Sequence, residues 1–198
     1  MQKLKLINHW LFDMDGTLTM AMHDFDAMRE ELELPAGVPI LEALAELEPA
    51  VAAQKHRQLD EMELQMASAA EAQPGSQALL EYLQQQGARL GIVTRNGRKI
   101  ADATLAAAGL DSFFSSDAIV SRDCCEAKPD PAGVHLLLQR WSANSTDAVI
   151  VGDYLFDLQA GHAAGTATVH LDVKGEFPWP EITDVKVTSL VQLQQHLL

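Results

Sequence analysis

The sequence predicts an α/β fold: a parallel sheet covered by helices on both faces, with a small helical insert near its start. Three observations predict it. Short apolar runs recur along the second half of the chain, separated by helical patterns of about 10 to 15 residues, the alternation that builds parallel sheets. The stretch from Met20 to Gln73 breaks this alternation and shows helical spacing only. The polar residues that stand out nearly all follow strand ends, where open parallel sheets bind their ligands.

The elements follow in order. Ile7 to Phe12 is mostly apolar and reads as a buried strand, ended by the freedom of Gly16 to make a sharp exit. In the insert, Pro35, Pro39 and Pro49 cut the chain into three helical pieces, the last running from about Pro49 to Glu71. Phe25, Met28 and Leu32, then Leu41, Leu44 and Leu47, then Leu59, Met62 and Met66, recur at spacings of three to four and are assigned to the core. Pro74-Gly75 closes the insert, and Ser76 is expected to cap a helix through Gln86. Arg89 to Val93 is a strand and Arg98 to Ala108 a helix, with a third strand at Ala118 to Val120. Asp130 is expected as the N-cap and Pro131 as the first residue of the next helix. Ala148 to Val151 and Thr168 to Leu171 are further strands, joined by a helix ending at Gly165. The tail from Asp184 adds an edge strand and a last helix.

Composition narrows the function. The formal net charge is −14, from 28 acidic and 14 basic residues, which speaks against a nucleic-acid partner or an anionic membrane surface. Cys124 and Cys125 are adjacent and form neither a disulfide framework nor a metal-binding pair, so a reducing compartment is expected. No apolar run reaches the roughly 20 residues of a membrane span, and Met1 to His9 lacks the apolar core of a leader peptide. A soluble cytoplasmic protein is the expectation.

Chemistry concentrates at the strand ends. Asp13 and Asp15 follow the first strand two residues apart, and two carboxylates that close stay ionised only around a cation or by sharing a proton. Thr94 follows the second strand and Asp153 the fourth, while Lys128 lies in the loop before the helix that leads to the fourth. Taken singly, Lys128 reads as a solvated lysine, Thr94 as a helix cap, and Asp153 with Asp157 as a cap and a first-turn acid. Taken jointly, they read as one site.

Phe12-Asp13-Met14-Asp15-Gly16-Thr17, Ile92-Val93-Thr94, Lys128-Pro129 and Gly152-Asp153 with Asp157 resemble, in order, the four motifs of the haloacid dehalogenase-like hydrolase superfamily. The resemblance implies a Rossmann-like parallel sheet (the HAD-like core) formed by residues 1–19 and 74–198. It implies a helical cap at 20–73, similar to that of the phosphoglycolate phosphatase-like branch though smaller than many of its caps. By the same resemblance, Asp13 is the nucleophile that forms an aspartyl-phosphate, and Asp15 is the acid that protonates the leaving oxygen and then the base that activates water. Mg2+ would sit among the Asp13 carboxylate, the Asp15 carbonyl and Asp153. Lys128 would hold the nucleophile and phosphoryl oxygens, Thr94 would donate to a phosphoryl oxygen, and Thr94, Arg95, Asn96 and Lys128 form the expected substrate-binding set. Asp157 is assigned a supporting role toward Lys128 or the metal.

An acid at Asp15 favours a phosphatase over a dehalogenase, whose leaving group needs no proton. A phosphomutase uses the same core, and a catalytically idle binding module is the alternative of a different class. The expected substrate is a small phosphorylated metabolite. From Met20 to Gln73 the insert carries twelve acidic residues against Arg29, Lys55 and Arg57, which makes Arg29 and Arg57 the candidates for a second anionic group. Hinges for the cap are expected near Met20 and Pro74-Gly75, Trp10 in the core, His23 and His56 on the surface, and Cys124 and Cys125 as a small buried thiol pair.

Overall fold

The computed structural model describes residues 4–21 and 24–198; His23 lies outside them. Six strands form one sheet in the order β3-β2-β1-β4-β5-β6. They are β1 (His9–Phe12), β2 (Arg89–Val93), β3 (Ile119–Val120), β4 (Ala148–Gly152), β5 (Ala167–Leu171) and β6 (Val185–Val187), and every neighbouring pair is parallel. The order reverses at β1, which has β2 on one side and β4 on the other. Such a switch point opens a crevice at the carboxyl ends of the strands.

Period-two alternation distributes the strand residues between two cores. Trp10 and Phe12 of β1 and Val149 and Val151 of β4 pack under α4 (Ser76–Gln85), α5 (Arg98–Ala107) and α8 (Leu190–Leu197). Leu11 and Ile150 face the other way, toward α6 (Ala132–Trp141) and α7 (Leu155–Ala164). Trp10 is fully buried as expected, its indole N–H donating to the Ile7 carbonyl at 3.1 Å. Among the described residues, no helix is long and apolar enough to cross a membrane.

Between β1 and α4 the chain forms α1 (Phe25–Glu31), α2 (Ile40–Ala45) and α3 (Pro49–Ala67), the three helices that the proline spacing predicts. They bury a separate apolar cluster of Met28, Leu32, Leu34, Ile40, Ala43, Leu44 and Leu59. The two connections to this region run side by side: Thr19 bridges Ala72 antiparallel, and Met20 and Gln73 donate to the carbonyls of Glu71 and Leu18 at 2.9 and 2.8 Å.

Several local expectations are corrected. Ser76 is the first residue of α4 rather than its cap; Gly75, in the left-handed region at φ 91°, takes that position, and the Ser76 hydroxyl instead donates to Leu18 at 2.7 Å. The helix predicted from Pro131 starts one residue later, with Pro131 as N-cap and the Asp130 carboxylate accepting from Ala132 N–H at 2.8 Å. The third helix of the insert stops at Ala67, short of Glu71. His56 is half-buried rather than exposed. Cys124 is exposed and Cys125 half-buried, because both sit in the loop after β3, where the chain has left the sheet.

The separate apolar cluster yields a prediction. Leu44 is fully buried within it, so Leu44→Ala should cost about 2–4 kcal/mol. The loss should be local: limited proteolysis should cut within residues 24–70 well before the sheet is attacked.

Candidate active site

The site lies at the carboxyl ends of β1, β2 and β4. Asp13 directly follows β1, and its N–H donates to the Val151 carbonyl at 2.9 Å, which carries the β1–β4 pairing one residue beyond the strand. Its Oδ1 accepts from Lys128 Nζ at 2.5 Å, and Asp157 Oδ1 accepts from the same ammonium at 2.5 Å. Lys128 is 2 % exposed, Asp157 2 % and Asp13 9 %, so this ion triad is buried. Lys128 reaches the site from the loop before α6 through a cis peptide to Pro129.

Burial works against the charged form of Lys128, but the carboxylates of Asp13 and Asp157 outweigh it and hold its pKa above the ordinary value. Burial pushes the Asp13 carboxyl up, and the nearby Lys128 only partly offsets this. Asp157 is pushed up to about 6 by burial and by Asp13. Asp153, at the end of β4, is pushed up to about 8 by burial and by repulsion from Asp13 and Asp157. The carboxylate oxygens of Asp13, Asp153 and Asp157 lie within 4.8 Å of one another. Three carboxylates against one ammonium leave two negative charges uncompensated, and an all-oxygen set of this charge suits a hard divalent cation. Asp157, expected in a supporting role toward Lys128 or the metal, contributes a carboxylate oxygen to this cluster beside those of Asp13 and Asp153.

Two glycines permit the crowding. Gly16 has φ 84°, and a Cβ there would stand 2.4 Å from Asp153 Oδ2. A Cβ on Gly152 would stand 2.2 Å from the Asp157 Cβ. The backbone can therefore turn tightly enough to stack the carboxylates.

Asp15 lies off the strand, which ends at Phe12, and is oriented by hydrogen bonds instead. Its Oδ2 accepts from Asn96 Nδ2 at 2.6 Å, and Thr19 Oγ1 approaches its Oδ1 at 3.5 Å. Asn96 also donates its backbone N–H to Thr94 Oγ1 at 3.1 Å, so the Thr94 hydroxyl accepts there and keeps its own proton for a ligand. The N–H of Arg98 at the start of α5 is taken by Asp123 at 2.6 Å. Asp13, Asp15, Thr94, Arg95, Asn96, Lys128, Asp153 and Asp157 all line one cavity of about 360 Å3.

Arg95 lines the cavity and is held there by three contacts. It ion-pairs with Glu42 of α2, donates to the Lys128 carbonyl, and lies over the Phe156 ring at 4.7 Å. Arg29 lines the same cavity, whereas Arg57 does not and is exposed. Sequence reasoning missed Thr17, whose hydroxyl donates to Asp153 Oδ1 at 3.2 Å, and Arg122, which lines the cavity and pairs with Asp60 and Glu63 of α3. Arg122 carried a usable signal, since it stands two residues past β3, at the same edge of the sheet as the other site residues.

A family model described as haloacid dehalogenase-like hydrolase matches residues 10–171. The chain belongs to this family. Among its relatives, a haloacid dehalogenase-like hydrolase domain-containing protein of Arabidopsis thaliana is 28% identical over 94% of this chain and 82% of its own length. A protein of Bacillus velezensis named pyrophosphatase PpaX is 30% identical over 83% of this chain and 82% of its own length. Among solved structures, a predicted phosphoglycolate phosphatase from Haemophilus somnus 129PT superposes with a TM-score of 0.77 at 22% identity, covering 98% of this chain and 99% of that one. The two chains share one fold over nearly their whole lengths.

The crowded carboxylates yield a thermodynamic prediction. A carboxyl whose folded pKa is raised weakens the fold above its unfolded value near 3.9. Asp153→Asn should therefore raise the melting temperature of metal-free protein at pH 7, by roughly 1 kcal/mol or more in stability. Saturating magnesium should stabilise the wild type by about 2–4 kcal/mol and the variant by far less. Equal magnesium stabilisation of the two proteins would remove Asp153 from the cation site.

Proposed function

We propose that the protein is a magnesium-dependent phosphatase that hydrolyses a small phosphorylated metabolite through an aspartyl-phosphate on Asp13. One observation carries the reading: the cavity that contains Asp13, held by Lys128, also contains Asp15, Thr94 and the carboxylates able to hold a divalent ion. Phosphate monoesters hydrolyse extremely slowly without catalysis, so positioned charge and a positioned nucleophile are what an enzyme must provide.

In this mechanism Lys128 engages Asp13 Oδ1, leaving Oδ2 to attack phosphorus. The new bond forms as the bond to the leaving oxygen breaks, and Asp15 gives that oxygen a proton. The resulting Asp15 carboxylate, its Oδ2 fixed by Asn96, then takes a proton from water. The water oxygen attacks phosphorus, and the acyl-phosphate bond breaks to restore Asp13. Thr94 donates its hydroxyl proton to a phosphoryl oxygen, while Lys128 reduces repulsion between that group and the nucleophile. A magnesium ion held by Asp13, Asp153 and the Asp15 carbonyl, with Asp157 alongside, would supply positive charge against the phosphoryl oxygens.

In the same reading residues 20–73 act as a cap over a core of 1–19 and 74–198. The separate apolar cluster of the insert and the paired connections at Thr19 and Ala72 support this division. Action in a reducing compartment such as the cytoplasm suits the two unpaired thiols.

Hydrolysis of p-nitrophenyl phosphate by purified protein is the test. Turnover should require magnesium, disappear with chelator, and fall about a thousandfold or more in Asp13→Asn. Full activity in that variant would exclude Asp13 as nucleophile. A radiolabel retained on wild-type protein after rapid acid quench, and absent from the variant, would identify the intermediate.

A further inference from the structure

The cavity is lined by two unlike sets of residues. The carboxylates, Lys128 and Thr94 make up one; Phe25, Ile40, Leu41 and Leu59 from the insert, with Tyr154 and Phe156 from the segment after β4, make up the other. The group that leaves with the ester oxygen must lie against this second set.

Three arginines also line the cavity, and at first sight they invite a second anion. Each already has carboxylate partners from the insert. Both Glu42 oxygens accept from Arg95 Nη2, at 2.7 and 2.9 Å, while the guanidinium plane covers Phe156. Arg122 donates to Asp60 at 2.6 Å and to both oxygens of Glu63 at 2.9 and 3.3 Å, and its Nη1 also reaches the Arg95 carbonyl at 3.1 Å. Arg29 pairs with Asp26 through Nη2, while its buried Nε has no hydrogen-bond partner among the described residues. Four carboxylates thus face three guanidinium groups. Glu63 is 6 % exposed, so it has no route into solvent if an incoming anion competes for Arg122.

A polyanionic substrate would find no net surplus of positive charge among these groups. To reach Arg95 or Arg122 it would have to displace a paired carboxylate and then lie beside it in a partly desolvated cleft, where like charges repel more strongly than in water. An uncharged apolar group meets no such opposition and covers the aromatic and aliphatic wall.

We infer that the cavity selects phosphate monoesters with an uncharged, largely apolar leaving group and rejects pyrophosphate and bisphosphates, with Glu42 and Glu63 as the residues that set this choice. The inference rests on the phosphatase reading and sharpens it. It also separates this chain from the relative named as a pyrophosphatase, despite their similarity in sequence.

The test compares kcat/KM for phenyl phosphate and for pyrophosphate, with magnesium, in the wild type and in Glu42→Gln. Glu42 is a half-exposed side chain at 43 %, so its amide should not disturb folding. The wild type should prefer phenyl phosphate by about tenfold or more, and the variant should lose about tenfold of that preference. The change should come mainly from a lower KM for pyrophosphate, as expected when a binding charge is released without altering the chemical step. A wild type that cleaves pyrophosphate as well as phenyl phosphate, or an unchanged ratio in Glu42→Gln, overturns the inference while leaving the phosphatase intact. Absence of turnover on any phosphate ester overturns the phosphatase reading and this inference with it.

Discussion

The buried ammonium of Lys128, held between Asp13 and Asp157, is the constraint on which the site depends. Neither partner is tenable alone: an isolated buried ammonium would lose its proton, and two unpaired buried carboxylates would take protons up. Together they tie three separate parts of the chain, the end of β1, the loop before α6 and the first turn of α7. Because β1 and β4 are neighbours at the switch point, the tie lies above the crevice where a ligand enters.

The same tie leaves the site short of positive charge. Asp153 is placed beside the triad by the Gly16 turn and by the Thr17 hydroxyl, at a distance that water-poor surroundings make unfavourable without a cation. The two glycines belong to this electrostatic design as much as to the turns they form. A methyl group on either would separate carboxylates whose closeness is what makes the cluster able to hold a cation.

The acidity of the insert has a related physical role. Read from composition it suggests a lid that repels anions, with a few cations aimed at the substrate. In the fold, Glu42, Asp60 and Glu63 are directed at Arg95 and Arg122 of the core. These pairs neutralise the rim and join α2 and α3 to the loops after β2 and β3, leaving apolar side chains to line much of the rest of the cavity.

Much of this was legible in the chain. The alternation of strands with helical patterns fixed a parallel sheet, since buried parallel strands must be apolar on both faces while their crossover helices keep one polar face. Asp13, Asp15, Thr94, Lys128 and Asp153 could be picked out because the residues that follow strand ends must gather at one edge of such a sheet. Secondary-structure period and strand order act locally or through topology, so they leave a direct trace in sequence. The tertiary structure alone decided the pairings between segments far apart in the chain. Asp157 joins the carboxylate cluster because the first turn of α7 folds back over Gly152. Arg95 and Arg122 are occupied by acids 53 to 62 residues away. A charge in a sequence has no assigned partner until two helices pack, and which charges remain for a ligand is settled only at that step.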